Sequence, residues 1–222
     1  MTPQRLEKLR RVLECRQPDL TVLLDNVHKP HNFSALLRTC DAVGVFEANA
    51  VWPDARLKPH QIVASGAAKW VKVRTHGDVV TAGETLRGEG FRLVAAHPGR
   101  DSRDYREVDY TGSTALMLGA ELEGLSDWAL ALADEKVQVP MTGMVESLNV
   151  SVAAAIILFE ARHQRMSAGL YAASRLDPEC RARTFFEWAH PEVADYCRRH
   201  GFDYPELDEA GEIAGALPRL EG

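Results

Sequence analysis

The stretch that decides the fold is "KVQVPMTGMVESLNVSVAAAIILF", residues 136–159. It opens with Val137 and Val139 alternating against Lys136 and Gln138, the period of a strand, read here over residues 136–141. It closes on "NVSVAAAIILF", apolar on nearly every side, which predicts the buried first half of a helix over 147–166. Between the two runs a loop carries Gly143 and Met144. Strand, loop and buried helix make one βα unit, and chains of such units build a parallel sheet covered on both faces.

The same alternation continues toward the N-terminus. Strands are predicted at 20–27, 46–52, 71–76, 91–97 and 114–120, with helices at 59–70, 78–88 and 126–134, the last capped by Ser126. After the first strand comes "NFSALLRTCDAVG", residues 32–44, in which Phe33, Leu36, Leu37, Cys40 and Val43 form one helical face and Gly44 sits where a left-handed cap belongs. The fold class is therefore α/β, a mainly parallel sheet with helices on both faces, whose ligands bind outside the carboxyl ends of the strands. A helix over 3–16, with Leu6, Leu9 and Leu13 on one face, makes residues 1–19 an N-terminal helical extension to a sheet domain over 20–166. From 167 to 222 the pattern turns polar, with "PECRARTFFEWA" and "PEVADYCRRHG" reading as a C-terminal helical extension.

At 222 residues and 45% hydrophobic, the chain can bury one sizeable core plus extensions. No apolar run reaches the length of a membrane span, and "MTPQRLEKLRR" has no signal region, so a cytoplasmic protein with no membrane partner is expected. Cys15, Cys40, Cys180 and Cys197 are scattered and form no CxxC pair, which favours reduced thiols. None of the eight histidines has zinc-ligand spacing, so no metal is expected. The net charge of −6 speaks against nucleic acid until its distribution is considered, because residues 184–222 hold nine acidic and three basic side chains. In the rest, Arg5, Lys8, Arg10, Arg11 and Arg16 crowd one end, and Arg162, Arg165, Arg175, Arg181 and Arg183 cluster later. These are either solvated helix faces or phosphate contacts.

Rossmann, P-loop and nucleophile-elbow glycine motifs are absent. Three places remain where polar residues and glycines interrupt an apolar pattern at a strand end. They are "HKPHNFSALLRT", "LMLGAELEGLS" and "VPMTGMVESLNVSVAAA". Singly, Asn32 is a helix cap, Gly119 and Gly124 are turn residues, and Ser147 caps the last helix with Asn149 in its first turn. Jointly, Asn149 entering a buried helix and Glu121 between glycines need partners, and such loops would most simply supply one another's, or a ligand's.

"NxxxxxRT", "LGxExxGLS" and "VPMxGxxxSLNVSVAAA" resemble, in order, the three motifs of the SpoU/TrmH family in the SPOUT class, the 2′-O-ribose RNA methyltransferases. The likeness runs from about residue 19 to 165, and "RQPDLTV", "VHKPHN", "DAVG" and "AVWP" are similar to the branch that modifies tRNA. One departure is Ala120, where many members carry Asn or Gln, so only a backbone contact is expected there. The resemblance implies a deep C-terminal trefoil knot, a homodimer, and guanosine 18 of the tRNA D-loop as substrate. It implies S-adenosylmethionine as donor and S-adenosylhomocysteine as product, held by Ala96 and His97, Leu118 and Gly119, Val139, Met141 and Gly143, and Ser147 and Leu148. It gives Arg38 the activation of the ribose hydroxyl, with Asn32, Glu121, Asn149 and Ser147 completing the catalytic group. Arg5, Lys8, Arg10, Arg11, Arg162 and Arg165 become RNA-phosphate candidates. The alternatives are a ribosomal RNA 2′-O-methyltransferase and a non-catalytic RNA-binding protein on the same fold. Only about 19 residues precede the first strand, which favours the tRNA enzyme.

Overall fold

The structure, a computed structural model, describes residues 1–52 and 69–217. Its central strands are β1 (Leu20–Asp25) and β6 (Thr114–Gly119), parallel and matched from Leu20 opposite Thr114 to Asp25 opposite Gly119. β2 (Glu47–Val51) and β3 (Lys72–His76) continue the sheet beyond β1. β4 (Arg92–Ala96), β7 (Glu135–Gln138) and the short β5 (Arg103–Asp104) continue it beyond β6. The order is β3-β2-β1-β6-β4-β7-β5, and every pairing is parallel.

Side chains of the central strands alternate between two cores, as a pleat buried on both faces requires. Leu20, Val22, Leu24, Leu116 and Leu118 face one core, which α2 (Pro30–Val43) and α5 (Val150–Ser167) fill with Phe33, Leu37, Ile157 and Leu158. Leu23, Ala115 and Met117 face the other, beneath α3 (Val79–Gly88) and α4 (Asp127–Leu132), which contribute Leu86 and Ala129. Asp78 and Ser126 cap α3 and α4, and Gly44 closes α2 at φ +87°.

The sequence reading departs from the structure in several places. β7 stops at Gln138, short of 141, where Pro140 has no N–H to offer the ladder. α5 starts at Val150 with Asn149 as N-cap, so Ser147 is a loop residue and not the cap. Val152 and Phe159 on α5 are 46% and 48% exposed, so this helix is not buried all round in the single chain. β5, two residues long, is too brief to carry a period. The helix expected at 59–70 lies outside the described residues except for Lys69 and Trp70.

Arg165 is the largest correction. It is 0% exposed. Its Nε donates to Gln17 Oε1 at 3.1 Å, its Nη1 to the carbonyls of Tyr110 and Gly112 at 3.0 and 3.2 Å, and its Nη2 to the Asp19 carboxylate. The guanidinium therefore ties the end of α5 to the entry of β1 and to the 110–112 loop. A buried cation with these partners is not available to phosphate.

The chain divides into two compact units, Gln17–Leu170 and, together, Met1–Arg16 with Tyr171–Gly222. The extensions at the two ends thus form one unit. In it α1 (Pro3–Glu14) packs on α6 (Pro178–Ala189), which is followed by α7 (Pro191–His200). Leu9 and Leu13 are buried there, and the Arg16 guanidinium lies 5.1 Å from the Trp188 ring centroid. Arg5, Lys8, Arg10 and Arg11 remain exposed, with Arg10 donating to the Glu209 carbonyl at 3.0 Å. Among the described residues no helix is long and apolar enough to cross a membrane.

Candidate active site

The carboxyl ends of neighbouring strands β6, β4 and β7 open on a cavity of 310 Å³. That is enough for a nucleoside-sized ligand. Ala96 and His97 line it from β4, Leu118 and Gly119 from β6, Val139 and Met141 from the segment after β7, and Ser147 and Leu148 from the approach to α5. Gly143, expected in the same group, is not among the lining residues. Apolar side chains such as Leu118, Val139, Met141 and Leu148 line it together with the carboxylates Glu121, Glu123 and Glu146.

The turn after β6 is possible only because of its glycines. A Cβ on Gly119 would stand 2.0 Å from the carbonyl carbon of Gly124, so the strand end and the returning turn touch backbone to backbone. Gly124 takes φ +70°, and its N–H bonds to the Ala120 carbonyl at 2.8 Å. The Ala120 side chain is a methyl group that can neither donate nor accept, so its backbone carbonyl is what this position contributes. Gly119→Ala is expected to cost about 2–3 kcal/mol, because backbone cannot yield as a side chain can. Chemical denaturation measures this loss, and a stability equal to that of the unaltered protein would contradict the close approach.

This turn delivers Glu121 to two asparagines from distant segments. Asn149 Nδ2 donates to Glu121 Oε1 at 3.1 Å and to Asn32 Oδ1 at 3.2 Å. Asn32 Nδ2 donates to Glu121 Oε2 at 3.4 Å, and Lys29 Nζ donates to the same oxygen. The other end of the Asn149 amide caps α5, where Oδ1 accepts from the Ser151 N–H at 2.9 Å and Oγ at 2.6 Å. Asn149 thus uses its carbonyl on the helix and its amide nitrogen on the site, which fixes the direction it faces. Asn32 is 2% exposed at the third position of α2 and caps nothing, since Lys29 occupies the cap position. Donation from Lys29, then from Asn149, with a weaker share from Asn32, holds the Glu121 carboxyl below the ordinary carboxylate range. At neutral pH the centre of the network is an anion.

Arg38 does not join this group. It lies six residues beyond Asn32 on α2, about 9 Å further along the axis, and its side chain is exposed. Arg162 sits on α5 with its guanidinium 6.0 Å from the Phe159 ring centroid. Two contributors escaped the sequence reading. The carboxylate of buried Asp25 accepts from the Ser126 N–H and Oγ at 2.9 and 2.7 Å, and Lys29 binds Glu121. Both left a signal, an acid ending the apolar run "LTVLLD" and a lysine where helices usually carry a Ser, Thr, Asp or Asn cap. Among the described residues no group of three or more His, Cys, Asp or Glu side chains is placed to hold a metal.

Comparison with known proteins converges on one family. Residues 19–159 match the model of the SpoU rRNA methylase family, and residues 163–216 match that of its C-terminal region. The chain is 54% identical over 187 residues to the tRNA (guanosine(18)-2′-O)-methyltransferase of Thermus thermophilus, covering 84% of this chain and 96% of that protein. It is 45% identical over 215 residues to the enzyme of that name from Escherichia coli K12, covering 96% and 94%. The solved structure of the Aquifex aeolicus TrmH/SpoU tRNA modifying enzyme superposes with a TM-score of 0.77 at 42% identity, over 86% of this chain and 97% of that one.

Proposed function

This chain belongs to the SpoU rRNA methylase family, and from that premise we propose that it methylates the ribose 2′-hydroxyl of guanosine 18 in tRNA, in the cytoplasm. The observation that carries the reading is the convergence of Asn32, Glu121 and Asn149, from three separate segments, beside the cavity at the strand ends.

The cavity suits S-adenosylmethionine. Leu118, Met141 and Leu148 are apolar enough to enclose an adenine ring, and the turn at Gly119 brings backbone close where a Cβ would block it. When bound, S-adenosylmethionine supplies a methyl group on a positively charged sulfur and leaves as S-adenosylhomocysteine. The chain's own part is to align the ribose and to manage its proton. Asn32 and Asn149, held on the Glu121 anion, are fixed amides that orient the acceptor. Ser147 lines the cavity two residues before Asn149. Arg38, exposed and uncommitted to the network, grips an RNA phosphate beside the target ribose and stabilises the developing alkoxide. A guanidinium is a permanent cation, so the proton passes to the phosphate or to water.

Val152, Phe159 and Met166 recur every seven residues on α5 and are each nearly half exposed. Such a stripe shares one helix face and needs a partner, which in this reading is a second copy in a homodimer. The reading also carries the family's trefoil knot, formed by the loops that line the cavity. Arg5, Lys8, Arg10, Arg11 and Arg162 are its phosphate contacts. Affinity for tRNA should fall about 100-fold or more between about 50 and 200 mM salt. A filter-binding titration measures that slope, and salt-independent binding would assign these cations elsewhere.

Transfer of tritiated methyl from S-adenosylmethionine to bulk tRNA, set against ribosomal RNA, tests the reaction. Label in tRNA supports it. Label confined to ribosomal RNA would make the chain a ribosomal enzyme, and binding without transfer would make it a non-catalytic RNA-binding protein.

A further inference from the structure

Lys29 belongs to none of the three motifs. It occupies the N-cap of α2 without a side-chain cap bond, a place where a cation also faces the positive end of the helix dipole. That placement is unfavourable for the helix, so its compensation lies elsewhere. Lys29 Nζ donates to Glu121 Oε2, the oxygen on which Asn32 Nδ2 also converges at 3.4 Å. At the start of the same loop the Asp25 carboxylate holds Ser126 by two bonds, and Asn26 Nδ2 donates to Asp25 Oδ1 at 2.9 Å. Asn26 itself takes φ +57°, a left-handed conformation that bends the chain at this point. Residues 25–29 therefore grip the turn after β6 at both ends, Asp25 by buried bonds and Lys29 by a partly exposed one.

We infer that Lys29 is a positioning residue of the methyl-transfer site, holding the Glu121 carboxylate in the orientation that fixes the Asn32 and Asn149 amides on the acceptor side. The inference rests on the reaction proposed above. Both oxygens of Glu121 are in use, one by Asn149 and the other by Lys29 and Asn32. Without the ammonium the carboxylate keeps only neutral donors and turns toward water. The two amides then lose their common anchor. Among the described residues the groups facing Glu121 are Lys29 from the loop, Asn32 from α2 and Asn149 from the start of α5, and of these Lys29 alone is charged.

The pH dependence separates this role from general support of the fold. With Lys29 present, Glu121 stays ionised well into the acid range, and turnover holds as pH falls. Removing the cation raises the Glu121 carboxyl toward its ordinary value, so turnover is lost at a higher pH.

Steady-state methyl transfer to tRNA by Lys29→Met and Lys29→Arg across the acid range tests it, with urea midpoints as a check on folding. For Lys29→Met, kcat is expected to fall about tenfold or more with KM for tRNA within about twofold. The acid limb of kcat is expected to move to higher pH. Lys29→Arg is expected to restore most of the rate, because it keeps the charge beside the carboxylate. A raised KM with unchanged kcat and a flatter salt dependence would make Lys29 a phosphate contact and overturn the inference. So would an unmoved acid limb, or Lys29→Arg as impaired as Lys29→Met. If the unaltered enzyme methylates tRNA while the variants match it, this inference alone falls; if the unaltered enzyme transfers nothing to tRNA, the proposed reaction falls and the inference with it.

Discussion

Arg165→Ala is expected to lower stability by about 3–5 kcal/mol, the cost of removing one partner from a buried, multiply bonded charge. The substitution takes the guanidinium away from the Asp19 carboxylate, 18% exposed, from Gln17 Oε1 and from the carbonyls of Tyr110 and Gly112. Domains of this kind are held by about 5–15 kcal/mol in total, so one residue would remove a large share. Arg165→Lys should recover little, since a single ammonium cannot reach acceptors arranged around a planar fork. Arg162→Ala is the control, three residues away on the same helix and expected within about 0.5 kcal/mol of the unaltered chain. Urea unfolding with an unchanged slope measures both. An Arg165→Ala midpoint equal to that of Arg162→Ala would show that the latch does not hold the end of α5. Loss of tRNA affinity at unchanged stability would return Arg165 to the phosphate contacts.

Arg38→Lys is expected to lose about 100-fold or more in kcat while keeping its positive charge. The argument is geometric. A lysine offers a point charge, whereas gripping a phosphate and supporting a developing alkoxide together call for donors spread across a plane. Because Arg38 is exposed and stands away from the Asn32–Glu121–Asn149 network, the substitution should leave the urea midpoint within about 0.5 kcal/mol. Single-turnover rates with saturating tRNA separate the chemical step from binding. A lysine variant turning over near the original rate would reduce Arg38 to a simple electrostatic contact.

Much of the sheet was legible because a parallel sheet leaves strong local signals. Val22 and Leu24 against Leu23, and Leu116 and Leu118 against Ala115 and Met117, belong to strands buried on both faces, which read as continuous apolar runs bounded by turns. Gly44 announced the end of α2, and Ser126 the start of α4. The two asparagines and Glu121 were legible as polar residues out of place in apolar surroundings, and the structure joins them. Lys29 was missed and Arg165 was misread, for one physical reason. A cation in sequence looks the same whether it meets water, phosphate or a carboxylate brought from elsewhere in the chain. Arg165 finds Asp19, 146 residues earlier, and Lys29 finds Glu121, 92 residues later. No local period encodes such separations. The exposed stripe on α5 is the converse case, since an apolar residue reads as core whether or not the fold buries it.

The most direct test of the central claim is the position of the methyl group. A tRNA transcript is incubated with the protein and S-adenosylmethionine, digested, and its fragments are weighed by mass spectrometry, alongside a transcript carrying 2′-deoxyguanosine at position 18. The account predicts one added methyl on the fragment containing guanosine 18 of the first transcript and none on the second. A methyl at any other nucleotide, or equal methylation of the deoxy-substituted transcript, would contradict it.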